Sequence, residues 1–537
     1  MIAMAVPLNA FVLATLTAVA TVIWRIRLWK WLKNLLSSAL HLHLSWRHQV
    51  KHVENGTNLP SAHYRFPNGQ GDAEKFLHGK ENSEIWQAKF GGIYRIWSGT
   101  APEIVITQPE HVQEVFKDSD KHIKAINNNS GYYLGQLLGQ CVGLVSQSEW
   151  KTLRAVTEQA FVRSKSITYV PLIRKRVKEH FRQLWTSSKL SQAILDPAQD
   201  LKLLPFWVVA EIIYGPLTSE MEQCLRDLAP IREQLFQYVM AGGLTRFHWS
   251  KYLFFTKANR DLRAFKTRWR QFNRLARDRA RAAGGGGATS PPLLAMYHAV
   301  ESGVVSEEAI LQTLDEALFA NLDVTLGGIS WNLVFLAAYP DKQEELRREV
   351  FEQRKGASYQ ESAAGMECEA KEASDRGYVL SSSTYLAACV FESSRLRPLA
   401  AFSVPQAVPT PRVVGGYLFP AGTNFVIDSY ALNQRNPFWG KDGLRYRPER
   451  FRSDSGAAGS GRSTRTRYNY WRFGFGPRQC MGKYVADLVI RELLIHLVEN
   501  FTLSHINAGD SNEGEWMRDP ETWINHPVME LKCTKRK

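Results

Sequence analysis

Apolar positions recur near 3.6-residue spacing, opposite charged faces, over 171–186, 201–214, 219–239, 256–282, 306–337, 341–354, 383–396 and 482–499. This periodicity predicts a helix over each span. Short β-branched and aromatic runs predict strands at Tyr94–Trp97, Ile104–Thr107 and Phe425–Ile427. The fold class expected is mainly α with small β-sheets. The longest span opens on Ser306 as a cap, places Glu307 and Glu308 at its positive end, repeats Leu314, Leu318 and Leu322, and is stopped by Pro340. Inside it lies Asn321-Leu322-Asp323-Val324-Thr325. A carboxylate, an amide and a hydroxyl in an apolar helix are costly to bury unless hydrogen-bonded or used. Helix-to-helix hydrogen bonds are the plain explanation, and chemistry is the other.

The amino-terminal stretch Ile2 to Trp24 has no charged residue and is long enough to span a bilayer. Arg25, Arg27, Lys30 and Lys33 follow it, so the positive flank is expected to stay cytoplasmic. A cleaved signal peptide is the competing reading, with Ala18-Val19-Ala20 as its cleavage site. No basic region precedes the run, however, and the apolar stretch continues into a basic stop. Residues 1–24 are therefore expected to be an uncleaved transmembrane anchor. Residues 25–60, with Trp29, Trp31 and Trp46, follow as a basic juxtamembrane linker, solvated or interfacial. Segments 284–292, 355–377 and 453–467 read as surface insertions within one catalytic domain, 61–537.

The 537 residues carry 67 Lys plus Arg against 52 Asp plus Glu, a formal charge of +15, with 44% hydrophobic positions. That composition excludes a disordered, collagen-like or disulfide-stapled chain, and no nucleic-acid partner is expected. Six cysteines lie scattered without C-x-x-C pairing, which suits a reducing compartment and indicates no zinc ribbon. One of them, Cys480, has a context that points to chemistry.

It lies in Phe473-Gly474-Phe475-Gly476-Pro477-Arg478-Gln479-Cys480-Met481-Gly482, just ahead of a predicted helix. A glycine-rich turn lets backbone approach a flat ligand and aims N–H groups at one sulfur, stabilising a thiolate. The helix starting near Gly482 adds its positive end, Arg478 can reach an anionic group of the same ligand, and Phe473 can cover the sulfur. Phe473, Gly476, Arg478, Cys480 and Gly482 resemble the haem-binding loop of the cytochrome P450 superfamily, F-x-x-G-x-R-x-C-x-G. The resemblance implies the cytochrome P450 fold behind an amino-terminal transmembrane helix, haem b, and Cys480 as axial ligand to its iron. It also implies further elements upstream. Glu392-Ser393-Ser394-Arg395 matches the family's E-x-x-R, and Pro448-Glu449-Arg450-Phe451 supplies the third member of its structural ion pair, Arg450. Trp150-Lys151-Thr152-Leu153-Arg154 matches the W-x-x-x-R helix, whose Trp150 and Arg154 would contact a haem propionate.

One element departs from the family. The acid of the long helix is present as Asp323, but the following hydroxyl position is Val324, and Thr325 lies one residue late. In the resembling family the acid and threonine relay protons that promote O–O cleavage. Thr325 is rotated about 100° from Val324, so it acts through a distorted helix, or Asn321, a water or a substrate hydroxyl takes its place.

The resemblance implies a monooxygenase that places one atom of O2 into a lipophilic small molecule, with electrons from NADPH through NADPH–cytochrome P450 reductase and, in some relatives, cytochrome b5. Arg472, Arg478 and Lys483, near the cysteine loop, would attract an acidic flavoprotein or bind propionates. The expected location is the endoplasmic reticulum membrane, single-pass, with the catalytic domain cytoplasmic. Regions 121–145, 235–255 and 399–405, with Phe319, Asn321, Phe402 and Val404, are expected to line the substrate pocket. The long-helix segment and cysteine loop together are similar to those of fungal oxidases of natural-product clusters, including gliotoxin-like epipolythiodioxopiperazine (mycotoxin) pathways. Two alternatives stay open: a haem-thiolate enzyme of oxidative coupling, rearrangement or dehydration, and a non-enzymatic membrane-anchored haem-binding sensor.

Overall fold

Val324–Ala338 is apolar on every side, and every residue from Thr325 to Ala337 is buried, so this helix forms the centre of the molecule. It packs against Tyr385–Leu396, Lys483–Asn500 and the strand Phe501–His505. The computed structural model describes residues 8–284, 290–364, 376–452, 467–506 and 516–536. Of the expected insertions 284–292, 355–377 and 453–467, residues 285–289, 365–375 and 453–466 fall outside the described residues, and 355–364, expected as a surface insertion, instead continue the helix Pro340–Ala364. Among the described residues, only Glu307–Ala338 is long and apolar enough to cross a membrane, and its burial makes it a core element.

Helices occupy Val170–Ser187, Leu203–Tyr214, Ser219–Ala241, Lys257–Ala282, Pro340–Ala364, Tyr385–Leu396 and Lys483–Asn500, as the periodicity predicts. Thr218, Thr256, Ser306 and Thr384 each accept a hydrogen bond from a first-turn N–H, which fixes four of the helix starts. The buried pair Arg232 Nε to Asp315 Oδ1, 2.7 Å, ties Ser219–Ala241 to Glu307–Phe319. Leu8–Arg47 is one continuous helix of 40 residues, so much of the segment expected as a linker is helical. Trp29, Trp31 and Trp46 on it are exposed. The side chains of the expected anchor, before Trp24, fall outside the described residues.

The long helix is not continuous. Glu307–Phe319 ends in a 3-10 turn, Ala320–Leu322, and the chain resumes as Val324–Ala338. Asn321 turns its amide onto the carbonyls of Ala317 and Leu318, and Asp323 opens to φ −115°, ψ −56°. Short polar side chains that compete for backbone groups break the helix where periodicity alone extends it.

The β structure is small. A five-stranded sheet runs in the order Ile93–Ser98, Ala101–Ile106, Asn424–Ile427, Gln406–Ala407, Ile123–Lys124, with Ile104 beside Phe425 in its one parallel pairing. Ile194–Leu195, Leu531–Lys535 and Phe501–His505 form a second, antiparallel sheet. Arg412–Val414 and Tyr417–Phe419 form a hairpin.

Candidate active site

The cysteine loop is built as a closed turn. Cys480 N–H donates to the Phe473 carbonyl at 2.9 Å, and Gly474 and Gly476 lie at φ +90° and +69°. Gly476 is required for a second reason, since a Cβ there would overlap Ser119 Oγ. Phe475 anchors the turn among Phe116, Tyr468 and Trp471, with ring centroids 5.1–5.6 Å apart. Cys480 is exposed on its open side yet closely surrounded by protein, and that enclosure raises its thiol above the ordinary range. The Gly482 N–H at the start of Lys483–Asn500 pulls it back toward the thiolate, followed by Arg154 and Lys483. Phe473 lies beneath the Arg472 guanidinium, 4.4 Å from its ring centre.

A cluster of cations stands beside this loop. Arg478 stacks 4.7 Å over the Trp150 ring and donates to the Val145 carbonyl at 2.6 Å, while its Nε is buried without a partner. Arg154 pairs with Glu158 at 2.6 Å and donates to the Gln479 carbonyl at 3.3 Å, which brings Gln147–Thr157 against the cysteine loop. Sequence reasoning missed Lys124. It is buried with no hydrogen-bond partner for its ammonium among the described residues, and burial followed by repulsion from Arg478 lowers it to about 7. Its only sequence signal is a lysine in a two-residue strand beside the apolar stretch 133–145. Glu316 is the acid facing this cluster. It accepts the Gly143 N–H at 3.0 Å, and burial pushes its carboxyl up. Of the three cations expected at an acidic partner's docking face, Arg472 is withdrawn, because its guanidinium pairs with Asp487 inside the protein. Lys483 bonds the side chain of Gln479 at 2.7 Å.

At the helix break Thr325 Oγ1 donates to Asn321 Oδ1 at 2.7 Å. Asp323 turns to the carboxy-terminal segment, where Trp523 Nε1 donates to its Oδ2 at 2.8 Å. Two expected pocket residues move into the core. Phe319 packs among Phe206, Phe265 and Trp269 at 5.3–5.7 Å, and Phe402 packs on Trp86 at 5.5 Å. Both have relatives on neighbouring helices that outcompete a cavity for their surface. Val404 remains partly exposed.

Glu392, Arg395 and Arg450 meet as the motif requires. Arg395 donates to Glu392 twice at 2.7 Å, and Arg450 Nε reaches the same carboxylate at 3.2 Å. Arg395 also donates to the carbonyls of Asn433 and Gly443, 2.9 and 2.6 Å away, and the Asn433 side chain holds both the N–H and the carbonyl of Trp471. The buried triad thereby braces the segment leading into the cysteine loop.

Comparison with known proteins agrees with this architecture. The cytochrome P450 family model matches residues 77–517. The chain belongs to the cytochrome P450 family. It is 51% identical over 495 residues to "Cytochrome P450 monooxygenase aclC" of Aspergillus oryzae, covering 92% of this chain and 96% of that one. It is 46% identical over 503 residues to "Cytochrome P450 monooxygenase asaD" of Aspergillus flavus, covering 94% and 91%. "Cytochrome P450 monooxygenase gliC" of Aspergillus fumigatus is 37% identical over 506 residues, 93% of each chain. This P450 is accordingly a monooxygenase whose cofactor is haem iron and whose co-substrate is O2, and the reading as a non-enzymatic sensor is set aside. The residues present fit a haem. Cys480 offers a sulfur on an open face, and Lys124, Arg478 and Trp150 supply cationic and N–H groups that the protein leaves without full partners, as a dianionic macrocycle requires.

Proposed function

We propose that this P450 inserts one oxygen atom into a lipophilic secondary metabolite, a cyclic dipeptide or a similar aromatic compound, of the kind handled in gliotoxin-like fungal pathways. The observation that carries the reading is the closed cysteine loop with Cys480 beside the Lys124, Arg154 and Arg478 cluster. The substrate class is supported by the similarity of its long-helix and cysteine-loop segments to fungal natural-product oxidases. In the reaction a substrate C–H becomes C–OH, the second oxygen atom leaves as water, and NADPH with one further proton supplies two electrons and two protons through a reductase. Cytochrome b5 is a second donor. Residues 1–24 would anchor the chain in the endoplasmic reticulum membrane, with 25–60 at its surface and 61–537 cytoplasmic.

Bound haem supplies thiolate-assisted activation of O2. Cys480, steadied by the Gly482 N–H, would hold it by its sulfur, and Arg478, Lys124, Trp150 and Arg154 would orient it through its carboxylates. Gly476 allows close approach, and Phe473 closes the loop from which the sulfur projects. Asp323 would serve as the acid that relays protons to the oxygen chemistry. Asn321 and Thr325, joined by their 2.7 Å bond, restore the hydroxyl that Val324 lacks. Thr325→Val is expected to lower product formed per NADPH about fivefold, the equivalent of one hydrogen bond, and Thr325→Ser to restore it. An unchanged ratio in Thr325→Val would leave Thr325 a packing residue.

The functional test is incubation with NADPH, the reductase and aromatic cyclic dipeptides under isotopically labelled O2. The expected result is a product carrying one labelled oxygen atom, formed only with NADPH. Val324 favours a second reading, oxidative coupling or rearrangement, because it removes the usual hydroxyl from the relay. A product without labelled oxygen would select it.

A further inference from the structure

We infer that Trp523, in the carboxy-terminal segment, is a positioning residue that holds Asp323 for proton delivery. The inference rests on the reading of Asp323 as the proton-bearing acid. Two side chains of this segment hold one residue of the interior helix. Trp523 Nε1 donates to Asp323 Oδ2 at 2.8 Å, and His526 Nε2 bonds the Asp323 carbonyl at 2.8 Å, beside the Gly327 N–H at 2.9 Å. Asp323 needs such support. It stands where the helix breaks, and its own N–H makes only a long 3.4 Å bond to the Ala320 carbonyl. A carboxylate on a broken turn would otherwise sample several rotamers.

The segment that supplies the support is itself fixed. Trp331 Nε1 donates to the Asn525 carbonyl at 2.7 Å, Asn525 Nδ2 reaches the Tyr430 hydroxyl at 2.7 Å, and Asn525 N–H bonds the Leu399 carbonyl at 3.0 Å. Close approach to the helix depends on Gly327, where a Cβ would meet Ile524 Cγ2 at 2.9 Å and His526 Cδ2 at 3.1 Å. The Trp523 ring rests on Phe236 at 4.9 Å and edge-on to Phe76 at 6.3 Å. Phe236 belongs to Ser219–Ala241, which Arg232 binds to Asp315 on the near side of the break. The indole is therefore gripped on three sides.

Chemistry makes this a positioning contact and not a relay step. An indole N–H donates only, and cannot accept a proton or pass one on. It orients Oδ2, while no described residue donates to Oδ1, which is the oxygen left to exchange protons with the reaction. Substituting phenylalanine keeps the ring contacts and deletes only the donor.

The test needs no identified substrate. With NADPH and reductase alone, O2 is reduced either to hydrogen peroxide, consuming one NADPH and one proton, or to two waters, consuming two NADPH and two protons. The NADPH-to-O2 ratio and the peroxide yield read the partition. Full-length Trp523→Phe, matched to wild type in haem content, is expected to raise the peroxide-to-water ratio about fivefold, the weight of one hydrogen bond. Asp323→Asn should raise it at least as far. In Asp323→Leu, which removes the acceptor, the Trp523 indole N–H should lose its protection from solvent exchange by nuclear magnetic resonance. An unchanged partition in Trp523→Phe alongside a raised one in Asp323→Asn overturns the inference and leaves the acid in place. An unchanged partition in Asp323→Asn removes the acid reading itself. Should Trp523→Phe not accumulate, the exchange measurement decides, and retained protection in Asp323→Leu overturns the contact.

Discussion

Cys480→Ala is expected to abolish the long-wavelength Soret band of the reduced carbon monoxide complex and, with it, all NADPH-dependent product. As the proposed ligand, the Cys480 thiolate would be the electron-rich group on which that band and oxygen activation depend, and alanine offers nothing in its place. Among the other described cysteines, Cys224 lies half-buried against the core inside the helix Ser219–Ala241. Cys141 and Cys389 are fully buried, and burial drives their thiols well above the ordinary range, as it raises Cys533 to about 12. Among the described cysteines only Cys480 combines an open face with an N–H donor at a helix start. The loop itself should survive, because it is closed by the backbone of residue 480, from its N–H to the Phe473 carbonyl, and anchored by Phe475. The check is a carbon monoxide difference spectrum of wild type, Cys480→Ala and Cys533→Ala. A band that persists in Cys480→Ala, or vanishes in Cys533→Ala, would move the ligand elsewhere.

The cysteine loop and the Glu392, Arg395 and Arg450 triad were legible in the sequence because each is a short motif whose spacing dictates its geometry. Residues three apart on one helix share a face, and a glycine turn ahead of a helix can take few shapes. The helices and three strands were legible from periodicity for the same reason. What periodicity could not reveal were contacts made by distant segments. Trp523 lies 200 positions beyond Asp323, and nothing in either neighbourhood announces their hydrogen bond. Lys124 joins the cation cluster through a strand of two residues, too short for any pattern. Phe319 and Phe402 looked like pocket residues because aromatic character does not distinguish a cavity wall from a core. The break at 320–323 was hidden by the apolar repeat on both sides of it. It lay in the polar cluster already conspicuous in the sequence, and local polar competition decided the backbone there against the hydrophobic period.

Arg395→Ala is expected to cost about 3–5 kcal/mol and to leave little folded haem protein at growth temperature, the range seen when one partner of a buried ion pair is removed. Both side chains of the pair are wholly buried. The loss reaches beyond the pair. Glu392 would keep the Arg447 N–H at 3.0 Å and the Arg450 guanidinium at 3.2 Å, but two charge-assisted bonds of 2.7 Å would vanish from it. The carbonyls of Asn433 and Gly443 would lose their donor, and Trp439 the guanidinium stacked 4.7 Å over its ring. Asn433 holds Trp471, two residues ahead of Phe473, so the disturbance runs directly into the loop that presents Cys480. Arg395→Lys should rescue only part, because an ammonium cannot donate to Glu392 in parallel while reaching two carbonyls. Replacing an exposed partner, as in Arg447→Ala, should cost less than about 1 kcal/mol, since its pairing with Asp442 is solvated. Thermal unfolding together with haem content per chain checks the ranking. Equal stability of Arg395→Ala and Arg447→Ala would show that the triad does not carry the loop, and that the haem site is held from the Trp150 side alone.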